Sequence, residues 1–175
     1  LERNTTMIET KDLILDKARF SDWKDMYKNV WSHPESARYM TWKITENEEE
    51  AKVKIRKTIE AQKTYDTYLV YEKSTGSAIG FAGVHELEPS VYCETGICIG
   101  PDYTGRGYGR QIVEGLIRYC REQLHAREFI YASRPGNQAS IRLALSLGFT
   151  WIGSEDKVDE RTGQSYSLYK YHLKL

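Results

Sequence analysis

Four glycines fall within the ten residues "GPDYTGRGYG", Gly100 to Gly109, and the chain then runs into the amphipathic stretch "RQIVEGLIRYC". Without Cβ atoms at Gly105, Gly107 and Gly109, one side of this turn is open to close approach by another molecule. The first N–H groups of a helix have no partners inside it, and an anion is the guest they fit. The spacing G-x-G-x-G is not the G-x-G-x-x-G of a dinucleotide fingerprint. It also lacks the Lys-Ser/Thr pair that closes a P-loop. Local physics leaves a phosphate cradle of a more general kind, or an ordinary glycine-rich turn.

Other residue types that could do chemistry are scattered. Histidines stand at 33, 85, 125 and 172 without H-E-x-x-H or another metal spacing. The cysteines, Cys93, Cys98 and Cys120, are odd in number and show no CxxC, which argues against a disulfide framework or a zinc site and fits a reduced compartment. Cys98 carries no local cue for a lowered thiol pKa and reads as a small core residue. Further on, Asn137 opens the run "NQASIRLALSL" as a helix cap, whereas Ser140 lies one turn inside with no evident capping duty.

The elements that must position these groups can be read from periodicity. "KDLILDKAR" alternates as a strand, and "SDWKDMYKNVW" begins on a Ser-Asp cap with Trp23, Met26, Tyr27 and Val30 at helical spacing. "TENEEEAKVKIRKTIEAQKT" places Ala51, Ile55 and Ile59 on one stripe, acidic residues first and basic ones later, in the order the helix dipole favours. "DTYLVYEK", "SAIGFAGVHELEP" and "SVYCETGICIGP" read as three successive strands. The helix after the glycines carries Ile112, Val113, Leu116, Ile117, Cys120 and Leu124 on one face. "REFIYAS" is a strand, "NQASIRLALSL" a helix stopped at Gly148, and the last segments form a hairpin about a Thr-Gly turn. The order predicts an α/β (α+β) domain, a mixed sheet with helices on it.

With 175 residues and no linker-like break, one domain over 7–175 is expected, residues 1–6 being set aside as a processing or cloning remnant. Lys plus Arg equals Asp plus Glu at 25 each, so no global field points to nucleic acid or an anionic membrane as partner. No apolar run approaches the roughly 20 residues of a membrane span, and the first residues lack the apolar core of a signal peptide. A cytoplasmic location is expected.

The pair of motifs "YTGRGYGRQIVEGL" and "NQASIRLALSLGF" resembles the GNAT acyltransferase superfamily, in particular its branch of ribosomal-protein alanine and serine N-acetyltransferases. The likeness is densest from Cys93 to Phe149. It implies a mixed, mostly antiparallel central sheet flanked by helices, with acetyl coenzyme A held at the glycine loop by Thr104, Gly105, Arg106, Gly107, Tyr108, Gly109 and Arg110. Thr104 stands where that family usually has Arg or Gln, and Ala144 where many of its members place a proton-donating tyrosine. The resemblance also implies that backbone groups around Ile97, Cys98 and Ile99 take the pantetheine arm, and that Asn137 and Ser140 face the cofactor. It makes Ser140 the proton donor to the departing thiolate, with Asn137 beside it.

Glu94 matches the family's E-x-G glutamate, which makes it either the base for an incoming amine or a carboxylate paired with a neighbouring cation. Tyr39 and Trp42 fall in the expected acceptor segment, and His85 is a substrate-side candidate. The expected activity is acetyl transfer from acetyl coenzyme A to a primary amine, of a small molecule or a peptide N-terminus, directly in a ternary complex and without metal. The resembling branch leaves room for a homodimer. The alternatives are a coenzyme A-binding sensor without catalysis and a phosphate-binding structural protein.

Overall fold

The computed structural model describes residues 7–175, so the expectation for residues 1–6 lies outside them. These residues form two compact units, one running to Val84 and resuming over Thr95–Leu116, the other made of His85–Glu94 and Ile117–Leu175. No helix among the described residues is long and apolar enough to cross a membrane.

In the first unit, β1 (Ile8–Glu9), β2 (Leu13–Asp16), β3 (Asp66–Glu72) and the part of β4 (Ala78–Glu88) up to Val84 pair in sequence order, all antiparallel. Strand β6 (Cys98–Ile99) pairs with β4, Gly80 opposite Ile99 and Phe81 opposite Cys98. A Cβ on Gly80 would lie 2.2 Å from the Cys98 carbonyl oxygen, so only glycine admits β6 this close. Helix α3 (Glu48–Gln62) forms within the segment read as helical. The Asn47 side chain caps it by accepting from Glu50 N at 2.9 Å, and Glu48, Glu49 and Glu50 fill its first turn. Its stripe works as read, with Ala51 and Ile55 fully buried against Trp23, Met26, Val30 and Trp31 and with Ile59 packed at the margin.

The segment read as one helix over "SDWKDMYKNVW" is a composite. A 3₁₀ turn (Phe20–Asp22) leads into α1 (Trp23–Met26), which widens into a π turn (Tyr27–Trp31), followed by the short α2 (Pro34–Ala37). Buried Asn29 in the π turn donates to the Ala78 carbonyl at 2.9 Å, a demand from another strand that helical periodicity does not encode.

In the second unit, β5 (Val91–Glu94) runs parallel to β7 (Glu128–Ser133), which pairs antiparallel with β9 (Ser165–Lys174), and β9 with β8 (Thr150–Val158). The predicted β8–β9 hairpin turns through Gly163 at φ +72°. Helix α4 (Tyr108–Glu122) has residues in both units, and Ile112, Val113, Leu116, Ile117 and Cys120 are buried as read, whereas Leu124 lies past its end and is half-buried. Helix α5 (Gln138–Ser146) ends at Gly148, whose φ is +90°.

"SVYCETGICIGP", predicted as one strand, is broken. β5 stops at Glu94 and β6 begins at Cys98, with Gly96 between them at φ +119°, a conformation that favours glycine. The same glycine that looked like an ordinary strand residue is what ends the strand.

Candidate active site

The glycine loop begins on a 3₁₀ turn, Pro101–Tyr103. Gly100 N donates to Ile79 O at 2.8 Å, and a Cβ on Gly100 would sit 2.2 Å from Asn29 O, so the entry to the loop is fixed by close packing. Thr104 Oγ1 turns back to Pro101 O at 2.9 Å. Gly105 and Gly107 follow at φ +78° and +79°; both are exposed, and a Cβ on either would meet no protein atom within 4 Å. Here glycine serves the backbone shape and leaves the space beside it open.

Two side chains of the loop turn inward onto one carboxylate. Glu72, at the end of β3 and only 3% exposed, accepts from Tyr108 Oη at 2.6 Å, Arg106 Nη1 at 3.0 Å and Thr75 Oγ1 at 3.0 Å. The Tyr108 bond is the foremost cause holding the Glu72 carboxyl below the ordinary range, helped by Thr75 and Arg106 against its burial. The same bond raises the Tyr108 hydroxyl. Arg110 instead pairs with Glu114 at 3.2 Å along the helix surface.

The first bond of the helical ladder is Gln111 N to Gly107 O, so the Gly107, Tyr108 and Gly109 amides precede it and have no acceptor within the helix. Gln111 ties this helix start to the β1–β2 turn, accepting from Thr10 Oγ1 at 2.7 Å and Asp12 N at 3.0 Å and donating to Asp12 Oδ2 at 2.7 Å. Chemically, a rigid helix start with open glycines presents amide hydrogens to an anion.

Also in the first unit, Ile97 and Ile99 are half-buried around Cys98, whose thiol donates to Ser36 O at 3.7 Å and is pushed up to about 11 by burial. The reading of Cys98 as core is supported; it has no thiolate to offer near neutrality. Trp42 meets Phe81 edge-on with centroids 6.4 Å apart. Arg38 lies 5.1 Å over the Tyr39 ring. Lys54, which the sequence reading did not single out, places its ammonium 4.2 Å over Trp42 and 5.0 Å over Trp31.

In the second unit the structure brings Glu94, Asn137 and Ser140 near a residue the sequence reading passed over as a strand filler. Ser140 Oγ lies 2.6 Å from the hydroxyl of buried Tyr131. Burial pushes that hydroxyl up to about 12, with Ser140 working against the rise and the Glu94 charge adding to it. Glu94 Oε1 accepts from Ala132 N at 3.1 Å. Asn137 caps α5 by accepting from Ser140 N at 3.3 Å. Ala144 is fully buried under this helix. His85 is exposed on β4, with its imidazole held low by partial desolvation and then by Lys157.

Residues 12–150 match the Acetyltransferase (GNAT) domain family, and the chain belongs to it. It is 24% identical over 167 residues to the N-acetyltransferase p20 of Bacillus licheniformis, covering 94% of this chain and 93% of that one. It is 30% identical over 112 residues to the L-methionine sulfoximine/L-methionine sulfone acetyltransferase of Pseudomonas paraeruginosa, covering 61% of this chain and 64% of that one. Among solved structures it superposes on the ribosomal-protein alpha-N-acetyltransferase RimL in complex with coenzyme A with a TM-score of 0.79, at 20% identity over 97% of this chain and 98% of the other. The protein is therefore an acetyl coenzyme A-dependent N-acetyltransferase with the α+β fold of its family, mostly antiparallel in its strand pairing. Catalysis displaces the sensor and structural-protein alternatives.

One titration follows from this geometry. Burial lowers the Lys54 ammonium to about 8 from 10.5, against a smaller upward pull from Cys98. Between those values the unfolded chain binds more protons here than the folded one, so this lysine makes stability rise with pH across that window. Lys54→Met should be more stable than wild type at pH 7, by on the order of 1–2 kcal/mol once partial solvent access is discounted. The gain should shrink as pH climbs from 8 toward 10.5. Urea denaturation at several pH values measures it, and a pH-independent difference contradicts the assignment.

Proposed function

We propose that this enzyme transfers acetyl directly from acetyl coenzyme A to the primary amine of a small molecule or a peptide N-terminus, in a ternary complex. The observation that carries the direct route is the thiol chemistry: Cys98, beside the proposed thioester position, is buried and held protonated, which disfavours an acetyl-cysteine intermediate. The loop from Thr104 to Arg110 takes the pyrophosphate mainly through its amides, because Arg106 and Thr104 already have partners. Main-chain groups around Ile97, Cys98 and Ile99 receive the pantetheine arm, and an N–H there polarises the thioester carbonyl.

Glu94 accepts the proton that the attacking amine loses, directly or through a water. As the C–N bond forms and the C–S bond breaks, Ser140 supplies a proton to the coenzyme A thiolate. The Tyr131 hydroxyl, which stays protonated across the neutral range, stands behind Ser140 to restore it. Asn137 sets the first turn of α5 and with it the position of Ser140. Tyr39 and Trp42 wall the acceptor, and His85 lies on the substrate side. The names of two relatives, one an acetyltransferase of L-methionine derivatives and one an alpha-N-protein acetyltransferase, support a small molecule or a peptide N-terminus as the acceptor. Assembly as a homodimer and a cytoplasmic location complete the proposal.

Two substitutions test it. In Gly107→Val the new Cβ meets no protein atom within 4 Å, but a β-branched residue is strained at φ +79° and crowds the open side of the loop, so in a folded variant coenzyme A affinity by calorimetry should fall tenfold or more. Unchanged affinity would remove the loop from the cofactor site. Ser140→Ala should keep coenzyme A affinity and lose turnover by roughly 10²- to 10⁴-fold, the range of a positioned acid or base. Full thiol release by Ser140→Ala would assign the proton to another donor.

A further inference from the structure

A groove of about 610 Å³ in the first unit is walled by Trp42, Ile44 and Val53 and edged by lysines 43, 54 and 57 and glutamates 49 and 50. Its charges are unevenly satisfied. Glu49 pairs with Lys52 at 3.1 Å, and Lys43 lies 3.8 Å from Glu46. Glu50 is four residues before Lys54 on α3, the spacing and order that most favour a helical ion pair. That pair is not made, because Glu50 Oε2 folds back to accept from Glu46 N at 2.9 Å and serves the helix start instead. Among the described residues no carboxylate lies within ion-pair distance of Lys54. Its ammonium rests on the faces of Trp42 and Trp31.

This arrangement selects a guest. The face of Trp42 that could stack on a substrate cation is already covered by the protein's own cation, so a second ammonium is disfavoured there. A partly desolvated lysine without a counter-ion gains most from an anion, and the apolar wall beside it suits a hydrocarbon chain or ring. Trp42, which walls the groove, meets Phe81 edge-on and packs on the cluster that holds Cys98, the residue paired with Phe81, which places the groove beside β6, the strand that the transfer proposal assigns to the thioester arm.

We propose that the groove binds the carboxylate of an acceptor that carries both an amine and a carboxylate, with Lys54 Nζ as the anchor and Trp42, Ile44 and Val53 against its apolar part. The acceptor class is then an amphipathic amino acid, its amine left to the transfer machinery; this assignment rests on the transfer reading above for what happens to the amine, but not for the binding of the carboxylate.

The test uses the full chain and a probe that cannot be acetylated. 3-Phenylpropionate should bind at least about tenfold more tightly than its neutral match 3-phenylpropanamide, by calorimetry or tryptophan fluorescence, as expected for a charge-assisted contact. The preference should vanish in Lys54→Met and survive in Lys43→Met. In the wild-type protein the Lys54 Nζ resonance should titrate at higher pH once 3-phenylpropionate is added; this reading stands alone if Lys54→Met fails to fold. Equal binding of the two probes, a preference that persists without Lys54, or an unmoved Lys54 titration overturns the proposal. Turnover separates the two readings. Thiol release with 2-phenylethylamine as good as with phenylalanine defeats the carboxylate anchor alone, whereas tight 3-phenylpropionate binding without thiol release from any amine supports the anchor and defeats the transfer reading.

Discussion

The carboxylate of Glu72 is the fixed point of the first unit. It is buried at the end of β3, where a lone charge would be costly, and it is kept ionised by three hydrogen bonds, two of them from the glycine loop. Tyr108 and Arg106 flank Gly107, so clamping both to one carboxylate fixes the turn between them and aims the start of α4. The left-handed conformations at Gly105 and Gly107 are the backbone cost of that clamp, tolerable only for glycine. Gln111 adds a second tether, to Thr10 and Asp12, at the next turn of the helix. The amides ahead of the first helical bond are thereby held in place before any ligand arrives, and ordering of this kind raises affinity by lowering the entropy lost on binding.

The clamp also changes what the loop's charges can contribute. Arg106 is matched by Glu72 and Arg110 by Glu114, so neither is a free cation waiting for phosphate. Together with Thr104, whose hydroxyl donates to Pro101 O, this is why the proposed cofactor binding relies on the main chain of the loop. The second unit follows the same logic on a smaller scale: the Tyr131 hydroxyl cannot be left unpaired in its buried position, and Ser140 satisfies it while keeping its own hydroxyl on the first turn of α5.

Features that depend on neighbours in sequence were legible in the sequence. The Asn137 cap, the acidic start and apolar stripe of α3, the glycine loop, the stop at Gly148 and the closing hairpin are local signals, and each stands where it was read. What escaped depends on partners far apart in the chain. Glu72 lies more than thirty residues from Arg106 and Tyr108, Gln111 about a hundred from Thr10, and Tyr131 joins Ser140 across a strand-to-helix connection. No periodicity reports such pairings. The break at Gly96 and the widened π turn at Tyr27–Trp31 were missed because other strands impose them through Gly83, which accepts from Thr95 N, and Ala78, which accepts from Asn29. Lys54 looked like one cation in a solvated charge run; only the packing of two tryptophans beneath it sets it apart.

The central claim is that preorganised amides at the start of α4 receive coenzyme A. Amide chemical shifts in ¹⁵N-labelled protein titrated with coenzyme A test it most directly. Saturation should shift the Gly105, Gly107, Tyr108 and Gly109 resonances strongly and slow their hydrogen exchange, with the Glu72 contacts intact. Saturable binding that leaves these four amides unmoved would contradict the account.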